Sequence, residues 1–203
     1  MNRKTRFALT APSLVFAATV TAQPATVDFE SVAVGTQFGS GFGQAPGDLI
    51  FTEDGVPVSI DNFTLGAFVG FNNVTIGGFT DPTFPTTPAT INNVRLVFDL
   101  SGLDPITEAS FEFADFGGDE NLVVNGVLAE VADFGALPAV LGGVNVGVTS
   151  FTSSTGLVTL TGNITSLEIG GQELGIDNVT FVPEPAMAGL AIAGVSLMLR
   201  RKR

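Results

Sequence analysis

Between positions 23 and 182 the chain offers ligand and acid–base chemistry almost entirely through carboxylates. There are 19 Asp and Glu side chains there and one cation, Arg95, in a protein with no His, Cys, Trp or Tyr. Without a thiol or an imidazole there is no cysteine nucleophile, no Ser–His pair and no ordinary zinc or copper site. What carboxylates can do is hold a hard cation through oxygen or act as an acid–base pair on a glycosidic bond. Asp115, Asp119, Glu120 and Asn121 put four oxygen-bearing side chains within seven residues. They are a calcium candidate, although the spacing is not that of an EF-hand loop. Asp28 and Glu30 near the start of this region, with Glu173 and Asp177 near its end, form another if the first and last strands are neighbours. No one pair of acids stands out for hydrolysis. The expectation is therefore a protein that is not an enzyme, with structural calcium as its one candidate cofactor and a carboxylate-pair glycoside hydrolase as a minor alternative.

Carbohydrate binding is the other reading open to such a domain, as a calcium-dependent carbohydrate-binding module. Sugars are usually held by stacking on aromatic rings, and here Phe, 18 residues in all, is the only aromatic type. Phe38 and Phe42 in FGSGFG, Phe63, Phe68, Phe71, Phe79 and Phe84 could serve, although Phe lacks the polar handle of Tyr or Trp and is more often core. Arg95, within NNVRLVFDL, is expected to pair with an Asp or Glu across a sheet.

The other basic residues mark the chain ends. Arg3, Lys4 and Arg6 precede an apolar run, Phe7 to Val20, and Val20-Thr21-Ala22 supplies the small residues of a cleavage site. This is the pattern of a signal peptide spanning residues 1–22, and it implies the secretory translocon and signal peptidase as partners. At the other end Val182-Pro183-Glu184-Pro185 leads into an uncharged segment, residues 186–199, closed by Arg200, Arg201, Lys202 and Arg203. Its 14 residues are fewer than the roughly 20 that span a bilayer at full thickness, a deficit that snorkelling arginines and local thinning can reduce. Basic ends around an almost cation-free middle fit the positive-inside rule, with the middle exported. The formal net charge of −12 argues against nucleic acid as a partner.

The tail VPEPAMAGLAIAGVSLMLRRKR resembles the bacterial PEP-CTERM sorting signal. It has the tripeptide Pro183-Glu184-Pro185, a Gly/Ala/Leu-rich membrane segment and a terminal basic cluster, in that order. The resemblance implies export, transient anchoring in the inner membrane, recognition of the tail by an exosortase-type membrane protease, and a final place at the cell surface or in an extracellular polysaccharide or biofilm matrix.

The exported region, 23–182, reads as an all-β domain. Period-two segments recur at 25–30, 48–53, 56–63, 94–100, 108–116, 121–126, 144–152, in GLVTLTG and NITSLEIGG, and in ELGIDNVTFV, separated by Gly, Asn, Asp and Pro. No amphipathic helix is evident, and GALPAVLGG (135–143) and GTQFGSGFGQAPG (35–47) read as turns or loops. Many short antiparallel strands predict a two-sheet β-sandwich of jelly-roll type, flanked by a signal-peptide helix and a C-terminal membrane helix. TVDFESVAVGTQFG at the start and GQELGIDNVTFV at the end resemble the frame of jelly-roll, galactose-binding-like domains. That resemblance implies adjacent first and last strands and a structural calcium near them, which is where Asp28, Glu30, Glu173 and Asp177 would lie. An echo, ADFGG at 114–118 and ADFGA at 132–136, reads as two equivalent corners in which Asp bonds back to the turn. Once both ends are removed the domain carries a formal charge of −18, a self-repulsion that cations would relieve.

Overall fold

The period-two segments become strands in the computed structural model, which describes residues 23–78 and 87–184. In chain order they are β1 (Ala25–Val27), β2 (Gln37–Gly39), β3 (Leu49–Glu53), β4 (Val56–Leu65), β5 (Phe68–Gly70), β6 (Asn73–Ile76), β7 (Ala89–Asn92) and β8 (Val94–Phe98). There follow β9 (Ile106–Asp115), β10 (Glu120–Val124), β11 (Val127–Val131), β12 (Val140–Leu141), β13 (Val144–Ser150), β14 (Thr155–Ile164), β15 (Leu167–Gly171) and β16 (Leu174–Pro183). Among the described residues the only helical turn is a 3₁₀ turn at Phe134–Ala136. These residues belong to one compact unit, Ala22–Glu184. The expected terminal helices, residues 1–22 and 186–199, lie outside the described residues.

Two antiparallel sheets result. One runs β12-β13-β14-β9-β16-β7-β6-β2, with β1 also on β16; the other runs β11-β10-β15-β8-β4-β3, with β5 on β4. The first and last strands are neighbours as expected, Val27 standing opposite Val179 and Ala25 opposite Phe181. Alternation decides which side chains meet between the sheets. Val58, Ile60, Leu96, Phe98, Leu122 and Ile169 from one sheet, and Phe111, Val158, Leu160, Ile176, Val179 and Phe181 from the other, form a single hydrophobic core. Phe98 and Phe181 bridge the sheets with ring centroids 5.8 Å apart. Phe134 closes one end, edge-on to Phe111 at 5.5 Å and to Phe113 at 5.1 Å. The architecture is a β-sandwich.

Turn chemistry fixes the hairpins. Asp54-Gly55 joins β3 to β4 and Asn125-Gly126 joins β10 to β11, all four residues at positive φ (45°, 80°, 52° and 75°). That is the twist a two-residue hairpin needs, and Asp-Gly and Asn-Gly supply it cheaply. Two loop expectations need amendment. Gln37–Gly39, inside the glycine-rich segment, pairs with β6, and Val140–Leu141 pairs with β13. NITSLEIGG is not one strand either: its first two residues finish β14, and β15 begins at Leu167.

Candidate functional site

The acids chosen at the two chain ends of the domain are near one another in topology but not joined as a ligand set. The Asp28 carboxylate accepts the Glu30 N–H at 3.1 Å, and the Glu30 carboxylate accepts the Thr87 N–H at 2.9 Å. Asp177 is fully buried in the β9–β16 ladder opposite Glu112, and its Oδ1 accepts the Asn178 N–H at 2.7 Å. Glu173 sits at the turn into β16, its carbonyl accepting the Phe116 N–H at 2.9 Å. The carboxylates that organise the chain after β1 are ones the sequence reading did not select. Glu53 accepts the N–H groups of Phe29 at 2.8 Å and Ser31 at 2.9 Å, and Asp54 accepts the Thr26 N–H at 3.0 Å. Glu53 thereby supports Phe29, a buried ring on a left-handed backbone at φ 63°. The Asp54-Gly55 turn was the available clue, because it swings both acids toward β1.

Of the second set, Asp115 and Glu120 come together, whereas the Asn121 side chain turns to the Thr64 backbone. Asp115 Oδ1 accepts the Gly117 N–H at 2.7 Å, and Asp133 Oδ1 accepts the Gly135 N–H at 2.6 Å. The sequence echo is therefore a structural one, two Asx turns of the same kind. Both turns flank Glu120, which is 1% exposed at the start of β10. Burial first, then the charge of Asp115 and a hydrogen bond with it, with Asp133 and Asp119 adding to the repulsion, push the Glu120 carboxyl up to about 8. Its Oε2 meets no donor, and the raised value favours the neutral form of the Glu120 carboxyl. Asp119 is tied to the neighbouring turn through its backbone, its N–H donating to Gln172 Oε1 and its carbonyl accepting the Gln172 N–H, at 3.1 Å each. Among the described residues no group of three or more His, Cys, Asp or Glu side chains is arranged to hold a metal ion.

Arg95 does what a lone cation in a strand should. It lies between Glu168, at 3.1 Å, and Asp61, at 3.8 Å, across β15 and β4. Its stem runs over Gly170, where a Cβ would strike Arg95 Cγ. Burial pushes the Glu168 carboxyl above its usual range, an effect Arg95 offsets only in part.

Of the candidate stacking rings, Phe63 is fully buried, and Phe38 and Phe71 pack against the core. Phe42 and Phe68 are about half exposed, at 46% and 50%. Phe79 and Phe84 lie outside the described residues.

The tripeptide begins inside the domain. Pro183 is the last residue of β16, opposite Ile106, and the exposed Glu184 donates its N–H to the Pro105 carbonyl at 2.7 Å. Pro185, the segment 186–199, the basic cluster Arg200–Arg203 and the signal-peptide residues 1–22 lie outside the described residues. No helix among the described residues is long and apolar enough to cross a membrane. No protein-family model, curated protein or solved structure matches the chain.

Proposed function

We propose that this is an exported, tail-sorted protein of the bacterial cell surface or extracellular matrix, whose working part is a non-catalytic, acidic β-sandwich of jelly-roll type. The observation that carries the reading is the tail itself: Pro183-Glu184-Pro185, an uncharged Gly/Ala/Leu-rich run and four terminal basic residues. The leader pattern at the opposite end supports it. So does the position of the folded unit, which ends at Glu184, within the tripeptide.

In this reading the −18 domain is delivered across the membrane, held briefly by residues 186–199, and transferred outward when a membrane protease reads the tripeptide. The domain's own residues supply cohesion: carboxylates tied to backbone N–H groups, and one arginine set between two acids on a sheet face. Expression of the full chain in a bacterium with an exosortase-type protease, followed by fractionation, tests the proposal. Glu184→Ala is expected to abolish processing and leave an unprocessed, membrane-bound precursor. Unchanged processing and location in that variant would overturn it.

A further inference from the structure

The last strand takes in the first residue of the tripeptide. At this end of β16 the buried positions alternate, Val179, Phe181 and Pro183, with half-buried Thr180 and Val182 between them. The Pro183 ring therefore falls on the core side, next to Ile106, which is 2% exposed. The Val182 carbonyl accepts the Thr107 hydroxyl at 3.4 Å, and the Glu184 N–H is held by the Pro105 carbonyl at 2.7 Å. Proline suits this place, since it has no N–H to leave unpaired where the ladder ends.

A partner that recognises a short extended peptide uses its backbone and its alternate side chains. The fold and any such reader therefore compete for the same groups, the Pro183 ring and the Glu184 N–H. We propose that the final pairing of β16 with β9 is a gate on the tripeptide: it becomes readable only when residues 182–184 peel away from 105–107. This rests on the tail being a sorting signal. Fraying of a strand end is among the easiest local openings of a folded domain. The open fraction then scales the apparent affinity of the reader, so the domain sets the pace of its own processing.

The test is pulse-chase processing of the full chain in a bacterium carrying an exosortase-type protease. A short Gly-Ser insertion between Val182 and Pro183 frees the tripeptide from the sheet. The same insertion between Pro185 and Ala186 lengthens the tether but leaves the gate intact. The first is expected to speed processing by at least about fivefold and the second to leave it unchanged. Equal acceleration by both, or none by the first, overturns the gate. Loss of all dependence on Glu184, seen with Glu184→Ala, overturns instead the sorting reading beneath it. Hydrogen exchange on the unaltered chain is independent of how the insertions fold. The Glu184 N–H is expected to be protected, and exchange at the rate of a free peptide would overturn the gate.

Discussion

The carboxamide of Asn121 grips the backbone of Thr64 at both of its polar groups. Asn121 Oδ1 accepts the Thr64 N–H at 2.9 Å, and Nδ2 donates to the Thr64 carbonyl at 2.8 Å. The pairing of β4 with β8 ends at Asn62 opposite Val94, and β4 continues into its hairpin with β5. Beyond that point the side chain of a β10 residue stands in for the missing strand. Asn121 is fully buried, because the hairpin lies over it.

Asn121→Ala therefore leaves two backbone groups of a half-buried residue without partners. The expected cost is about 2–4 kcal/mol, read as a lower urea midpoint with an unchanged slope. Asn121→Asp keeps the acceptor but turns a carboxylate oxygen toward two carbonyls, those of Thr64 and Glu120. It should cost at least as much at neutral pH. A loss under about 0.5 kcal/mol for Asn121→Ala, the size of an ordinary surface change, would show that the grip contributes nothing.

Glu120 makes stability depend on pH in the direction opposite to most carboxylates. Its folded value, about 8, lies above the ordinary 4.5 because burial and the neighbouring Asp115 oppose the charged form. The folded state therefore binds the proton more tightly. The contribution is fully present below about pH 4.5 and is lost as the pH rises through about 8, with a slope of up to about 1.4 kcal/mol per pH unit. Glu168, also raised, acts in the same direction. Asp99, lowered by its bonds from Ser101, acts only below its ordinary 3.8, outside this window. In chelator-containing buffer the melting temperature should fall from pH 5 to pH 8. Glu120→Gln should flatten most of that fall, and an equally steep profile in the variant would refute the assignment.

The sequence reveals the long elements and hides the short ones for the same physical reason. Val56–Leu65 and Thr155–Ile164 carry enough alternating β-branched residues to declare a buried face. β6 and β7 have only Val74 and Ile76, or Ala89 and Ile91, pointing inward. Their strand state comes from the run of pairing that ends on β16, which no local pattern encodes. The site divides in the same way. Arg95 was bound to find acids, being the only cation in the domain. Asp133 escaped the acidic grouping because it lies 18 residues from Asp115. The ADFG echo marked the two turns, but their convergence on Glu120 depends on the β10–β11 register, Glu120 opposite Val131. Glu53 and Asp54 were missed because their partners, residues 26–31, are remote in sequence.

Asn125 is more than a turn residue. At φ 52° it forms the Asn-Gly hairpin, and its side chain also reaches two other loops. Nδ2 donates to the carbonyls of Gly142 at 3.0 Å and Asn163 at 2.8 Å, while Oδ1 accepts the Thr165 N–H at 2.7 Å and hydroxyl at 2.9 Å. Asn125→Gly keeps the backbone conformation and removes only these bonds. If Asn125 were needed for its φ alone, glycine would be neutral. The expected loss is about 1–3 kcal/mol, with Asn125→Ala costing more because it adds strain at positive φ. Chemical denaturation of the three proteins side by side decides between the roles.

Arg95 gives the sharpest coupling test. Glu168, 22% exposed in its side chain, has an Oε2 that is buried and lacks a hydrogen-bond partner, so the guanidinium 3.1 Å away is its main compensation. Arg95→Met keeps the stem over Gly170 but leaves Glu168 and Asp61 as neighbouring uncompensated acids. The loss at pH 8 is expected to be about 1–3 kcal/mol, below that for a fully buried pair because water still reaches the site. It should shrink toward pH 5, where Glu168, already raised by burial, takes up a proton more readily still without Arg95. Adding Glu168→Gln to Arg95→Met should restore most of the stability lost at pH 8. If the two substitutions instead add independently in a double-mutant cycle, Arg95 and Glu168 share a sheet face without supporting one another.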